Sequence, residues 1–409
     1  MPTEPSRSRR PAAETVSAGG RVAAAMMVQN IGAYGFNLVA ARILDVPDLG
    51  ALTALLGVIL VANVGMLAVQ TTTARRIAVK PDDAEAIAGR ATVTALVIGL
   101  AATVVVALAS PVLAPVLQLD SVWPLVLCGA TVLPLTLMGA AAGVAQGQQR
   151  WGALSVIYVA NGVGRVVLGT AAILVVATPT AAIAGVLVGA WVPVLAGIRL
   201  LHLRHVRSVG YMWEVAAGSH AMLAFLVLSN LDALLGRAVL TEHESGLYGA
   251  GLILTKAALF LPQFVAIVVF PRLAKAGADR ARSRAVAAVA VLGLIATAMT
   301  ALLPWLALIL VGGDKYVEVE GRLWLFALEG SVLALVQLLV FDALARRSHT
   351  IVALLWGASV VVGGVTLLTP IGITGLTLTM TLTASVVAAI AWVLAQRPVG
   401  RPMGRPVGG

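Results

Sequence analysis

Residues 229–273 read SNLDALLGRAVLTEHESGLYGAGLILTKAALFLPQFVAIVVFPRL. Two long apolar runs flank a short polar turn, Thr241 to Ser245. The first run carries Asp232, the second carries Lys256, and Phe270-Pro271-Arg272 closes the second. An apolar run of about 20 residues is long enough to cross a bilayer as a helix. A charge inside such a run is costly and marks a functional-site hypothesis. Opposite charges on consecutive antiparallel spans suggest a pair. Asp232 lies about 10 Å and Lys256 about 15 Å below the outer boundary at a rise of ~1.5 Å per residue, a difference a lysine stem can cover. Two roles stay open for the pair: a structural tie between two helices, or a part in substrate binding or ion coupling.

The same pattern fills the chain. Of 409 residues, 60% are hydrophobic and 11% charged, against about 25% charged in soluble domains. Twelve spans are predicted, at 20–41, 50–73, 89–110, 121–145, 152–177, 180–201, 216–238, 246–270, 285–311, 322–345, 349–370 and 371–396. Helices are required, because lipid leaves no other open structure with its backbone satisfied. The net charge of +10 is not a nucleic-acid footprint, since the basic residues sit between spans. With the N-terminus in the cytoplasm, 22 of the 28 basic residues fall on inside segments and four (Arg42, Arg237, Lys315, Arg322) on outside ones. This positive-inside bias places both termini in the cytoplasm and the protein in the plasma or inner membrane as a multi-pass protein. The polar start followed by a long apolar run does not fit a cleavable signal peptide.

The predicted organisation is a disordered basic tail at 1–19, an N-lobe of six spans at 20–201, a cytoplasmic linker at 202–215, a C-lobe of six spans at 216–396, and a disordered basic tail at 397–409. The lobes repeat each other. Ala41-Arg42, acidic Asp45 and Asp48, then Leu49-Gly50-Ala51 open span 2; Gly236-Arg237, Glu242 and Glu244, then Tyr248-Gly249-Ala250 open span 8. Six plus six helices that both start inside are parallel repeats, with a central cavity between them.

Few residues in the spans can carry chemistry. The ionisable ones are Arg165, Asp232, Lys256, Glu329 and Asp342. Arg165 lies near the midplane, too deep to snorkel, and should face a polar cavity. Asp342 is near the inner end and is expected to meet headgroup water. Uncharged polar residues gather in the same spans: Gln29, Asn30, Tyr34, Asn37, Asn63, Gln70, Asn161, Asn230, Gln263 and Gln337. Asn30, Tyr34 and Asn37 share one helical face by spacing, which suits sugar hydroxyls or helix–helix hydrogen bonds equally. There is no phosphate-binding G-x-x-x-x-G-K-[ST], no His/Cys cluster for a metal and no Ser-His-Asp arrangement, so neither a cofactor nor an enzyme is expected. The lone Cys128 reads as a small core residue.

Asn230 and Asp232, then Ser245-Gly246-Leu247-Tyr248-Gly249-Ala250, Lys256, Pro262 and Phe270-Pro271-Arg272-Leu273, resemble the central part of polysaccharide-biosynthesis membrane proteins. These are the Wzx-type flippases of the multidrug/oligosaccharidyl-lipid/polysaccharide exporter superfamily. Asn30, Tyr34, Phe36-Asn37, Ala41-Arg42, Leu49-Gly50, Gln70 and Arg75 resemble their N-terminal part, and Gln146-Gly147-Gln148-Gln149-Arg150-Trp151 the turn after span 4. The resemblance covers about residues 20–275 and is compositional beyond 285. It implies an all-α fold of two six-helix bundles in a V, working by alternating access. It implies a substrate of polyprenyl-diphosphate-linked oligosaccharide or related glycolipid, flipped outward for cell-surface polysaccharide biosynthesis. Arg165 and Lys256 would then meet the diphosphate. Asn30, Tyr34, Asn37, Asn161 and Asn230 would line the substrate site. Asp232 and Glu329 would couple H+ or Na+, with the membrane potential supplying about 2.3 kcal/mol per charge per 100 mV. Membrane lipids, and a polysaccharide polymerase or glycosyltransferases, are the implied partners; nucleic acid is not. A cation-coupled multidrug exporter of the same superfamily is the main alternative, and a non-transporting membrane scaffold a lesser one.

Overall fold

The computed structural model describes residues 10–203, 209–260, 278–345 and 350–396. Among them all regular structure is helical. The helices are α1 (Arg10–Ile43), α2 (Val46–Ala62), α3 (Val64–Val79), α4 (Ala84–Val116), α5 (Trp123–Gly147), α6 (Trp151–Val175) and α7 (Pro179–Ala196). After these come α8 (Val209–Val239), α9 (Glu242–Leu259), α10 (Ala278–Leu302), α11 (Pro304–Val311), α12 (Leu323–Ala345), α13 (Thr350–Leu368) and α14 (Ile373–Gln396). Eleven segments of the described residues are long and apolar enough to cross a membrane. The predicted span at 246–270 begins as α9; its remainder lies outside the described residues, as do Pro262, Gln263 and Phe270-Pro271-Arg272-Leu273. The architecture is the two-bundle, twelve-span one.

Four boundaries differ from the sequence reading. α1 starts at Arg10, inside the segment expected to be a disordered tail, where Ala12, Ala13 and Glu14 favour helix. α8 starts at Val209, inside the expected linker. Span 2 is two helices, α2 and α3, that meet at Asn63. Span 9 is α10 and α11, parted at Leu303 because Pro304 cannot donate to the preceding turn. The expected tail at 397–409 lies outside the described residues.

The end of the bundle that holds Arg10 and Gln396 is termed inner, the opposite end outer. The outer halves of the two bundles share one core. It joins Phe36, Leu44, Leu52 and Ile183 from the first bundle to Tyr248, Leu308, Phe326 and Leu376 from the second. The inner halves have separate cores. One holds Val69, Ile77, Met138 and Ile157, the other Phe225, Leu333, Leu355 and Met380. Among the described residues only the first turns of α8 cross over, where Tyr211 and Val215 join the first bundle's core. A V with its apex at the outer end follows from this division.

The repeat packs on itself at that apex. α2 and its counterpart α9 touch through glycines: a Cβ on Gly50 would sit 2.5 Å from Ser245 Oγ, and one on Gly249 2.7 Å from Thr53 Oγ1. A Cβ on Gly246 would collide with the Val46 carbonyl. α9 is started by a capping box, in which Thr241 Oγ1 accepts from Glu244 N at 3.2 Å and Glu244 Oε2 accepts from Thr241 N at 3.2 Å. Cys128 is buried in the shared core, as the sequence reading has it.

Candidate functional site

A narrow cavity of about 40 Å3 lies between the two bundles just inside the shared core. Its walls come from α1, α2, α6, α8 and α9, and its polar lining is Asn37, Thr53, Arg165, Asn230 and Lys256. The rest is small or apolar, chiefly from α2 and α9.

Local packing puts each polar group there. α1 and α6 approach backbone to backbone, since a Cβ on Gly32 would lie 2.6 Å from Gly162 O. Further out on the same pair, Phe36 fits against Gly169. That leaves Arg165 with its guanidinium 5.5 Å from the Phe36 ring centre, within cation–π range. Arg165 Nε is buried with no hydrogen-bond partner. From the other bundle, Lys256 Nζ donates to the Ser229 carbonyl and, at 3.0 Å, to Asn230 Oδ1. Asn230 is fixed in turn by donating to Leu226 O at 2.8 Å. One cation from each bundle therefore lines one cavity.

The expected Asp232–Lys256 tie takes a different form. The ammonium is bonded to Ser229 and Asn230 and makes no ion pair with Asp232. α8 turns Asp232 away from the cavity, toward Tyr248, whose hydroxyl donates to Oδ2 at 3.5 Å. Glu329 of α12 is the other charged neighbour of Tyr248. Asp232 and Glu329 are both fully buried, and Asp232 Oδ1 and both Glu329 oxygens have no hydrogen-bond partner. Lys256 stands within electrostatic reach of both. Two carboxylates and one ammonium leave this cluster one positive charge short. A buried uncompensated charge is costly, so the cluster suits a proton or a small monovalent cation. No group of three or more His, Cys, Asp or Glu that would hold a metal occurs among the described residues.

The other site candidates scatter. Tyr34 donates to Leu310 O at 3.0 Å, at the outer end of the bundle interface. Asn30 and Asn161 do not line the cavity. Gln70 donates to Gln146 Oε1 at 3.1 Å and to Tyr158 OH at 2.7 Å, a tie within the first bundle. Asp342, expected at headgroup water, pairs with Arg282 at 3.8 Å.

Sequence reasoning missed the outer latch. Arg237 counts among the basic residues of the outside turns, yet it is buried. It donates to Leu117 O at 2.9 Å, Gln118 O at 2.8 Å, Pro47 O at 3.3 Å and Ser245 Oγ at 2.9 Å. Gln118 follows the end of α4 with φ 49°. That left-handed conformation closes the helix and aims two carbonyls at the guanidinium. A second latch joins the 310 turn Asp314–Arg322 to α1: Tyr316 donates to Ala41 O at 2.8 Å and Lys315 to Arg42 O at 3.0 Å.

No protein-family model matches the sequence, and no curated protein matches it either. Solved structures do. A multidrug resistance MATE family transporter of the MOP superfamily in its inward-facing conformation aligns over 93% of this chain and 97% of its own, with a TM-score of 0.71 and 13% identity. The lipid II flippase MurJ, in an inward closed conformation, covers 92% of this chain and 87% of its own, with a TM-score of 0.69 and 10% identity. An outward-facing MATE family structure covers 93% and 95%, with a TM-score of 0.57 and 15% identity. The chain shares the fold of these transporters.

Proposed function

We propose that the protein is a flippase that carries a phosphate-linked glycolipid across the membrane by alternating access. The polyprenyl-diphosphate class implied by the sequence resemblance is the favoured cargo. One observation carries the reading. Arg165 and Lys256 face one cavity from opposite bundles, and no carboxylate is among its lining residues. An anionic headgroup bridging the two would bring the bundles' cations to one charge, and a guanidinium suits bidentate phosphate contact. A cavity for cationic drugs needs the opposite lining. At about 40 Å3 the cavity has room for only a few waters, so a headgroup enters as the bundles part, with the rest of the glycan extending toward the inner opening. The excess of basic residues on the segments at the inner end supports a cytoplasmic position for that end, with transport running outward through the cell membrane. Asp232 and Glu329, behind the cavity, take up the coupling proton or cation, and Tyr248 and Lys256 pass its charge state to the substrate site.

The experiment is translocation of a fluorescent polyprenyl-diphosphate glycan in proteoliposomes. Arg165→Gln and Lys256→Gln, each expressed and folded normally, are expected to lose transport about tenfold or more, the effect of one charge-assisted contact. Unchanged transport in both variants sinks the reading. A multidrug exporter is the second reading, favoured by the buried Asp232–Glu329 pair; dye efflux that survives Arg165→Gln would support it.

A further inference from the structure

A second cleft, of about 490 Å3, opens at the inner end of the first bundle. It lies between the end of α3, the first turns of α4 and the start of α8, well away from the central cavity. Four cations line it, Arg75, Arg76, Lys80 and Arg90, against two carboxylates, Asp83 and Glu214. Glu214 occupies two of the four. Its oxygens are gripped by Arg75 and by Arg76, whose Nε donates at 2.7 Å. Arg76 is also stacked on Tyr211, 4.9 Å from the ring centre, and Tyr211 shares a 2.5 Å hydrogen bond with Thr73. These contacts clasp α8 to α3. Lys80 and Arg90 are left over: among the described residues neither makes an ion pair, and Arg90 Nε is buried without a hydrogen-bond partner. The first turn of α4 adds the positive end of a helix dipole to the same wall. Val79 lies on the lip, 74% exposed.

Surplus positive charge, an unpartnered buried guanidinium nitrogen and an apolar lip at the level where helices end define a site for a phosphate carried on a membrane amphiphile. We infer that this cleft binds such a headgroup phosphate, and that binding draws Arg75 and Arg76 off Glu214 and loosens the clasp between α3 and α8. Glu214 is then a resident competitor, holding the arginines until a better acceptor arrives. The inference stands apart from the cargo of the central cavity, because it concerns occupancy and the position of α8 and needs no transport.

The test uses the full chain in nanodiscs of phosphatidylcholine with or without phosphatidic acid. Lipid retention is read by native mass spectrometry. Clasp width is read by spin labels at Val79→Cys and Trp213→Cys in a Cys128→Ser background. Phosphatidic acid is expected to be retained and to widen the label distance. Lys80→Gln with Arg90→Gln should weaken retention about tenfold. Glu214→Gln should strengthen it, an opposite sign that a folding defect does not produce. Equal retention in the Lys80/Arg90 variant, or weaker retention in the Glu214→Gln variant, overturns the site. An unchanged label distance on lipid binding overturns the coupling to the clasp. Widening by inorganic phosphate alone, equal to that by the lipid, overturns the membrane source.

Discussion

At the scale of single residues, the molecule is governed by a few charges in apolar surroundings. Arg237 uses four acceptors from three segments of chain, so its loss orphans carbonyls on α2 and at the end of α4 together. Arg237→Ala should destabilise the outer-closed arrangement by about 3 kcal/mol, read as a rise in labelling of cysteines placed at the outer end. Asp232→Asn and Glu329→Gln should each abolish the pH or sodium dependence of transport while leaving the melting temperature near that of the wild type. Glu214 lies outside the apolar span of α8. Burial raises its pKa, but the hydrogen bonds from Arg76 and Arg75 prevail and hold the carboxyl below its ordinary value of 4.5. A depressed carboxylate contributes stability that is full above the unfolded-state value and lost as pH falls through the folded one. The clasp width should therefore stay constant from neutral pH down to about 5, just above that ordinary value, and open only in stronger acid. Spin-label distances across α3 and α8 check this. Much at this scale was legible in the sequence: a midplane arginine and a buried lysine have few uses other than a cavity. Which partner each residue chooses was not legible, because Asn230 and the Ser229 carbonyl capture Lys256 through the local course of α8. Nor was Arg237, whose acceptors at Leu117 and Gln118 lie about 120 positions away in the chain.

At the scale of elements, α2 and α9 hold the outer apex together. They are equivalent members of the repeat and pack face to face through Gly50, Gly246 and Gly249. Gly246→Ala forces a methyl against the Val46 carbonyl, a backbone atom that cannot swing aside. The expected cost to the outer-closed state is about 1–3 kcal/mol, seen as a lower melting temperature together with greater outer accessibility. Gly152, by contrast, meets nothing within 4 Å, and Gly152→Ala in the same host should leave both readouts unchanged. Span number and most span limits followed from apolar length and charge alternation. The internal breaks did not. Nothing in apolar length shows that span 2 turns at Asn63, and Pro304 parts α10 from α11 while Pro111 and Pro115 are carried inside α4 without a break. Proline removes a hydrogen bond in every case, and neighbouring helices decide whether the chain bends.

At the scale of the whole molecule, the two bundles share an outer core and part toward the inner end. Arg165 stands on one arm and Lys256 on the other, so a bridging anion would favour the arrangement that brings them together. That differential contact is what a ligand needs in order to shift a conformational equilibrium. The parallel repeat was visible in the paired turns before spans 2 and 8, whereas the direction in which the V opens depends on side-chain burial that no periodicity encodes. The most direct measurement is translocation in proteoliposomes of the purified protein, with a polyprenyl-diphosphate glycan and a cationic dye offered in parallel. The glycolipid is expected to cross, the dye is not, and Arg165→Gln is expected to stop the glycolipid. Dye transport with no movement of the glycolipid would contradict the flippase reading.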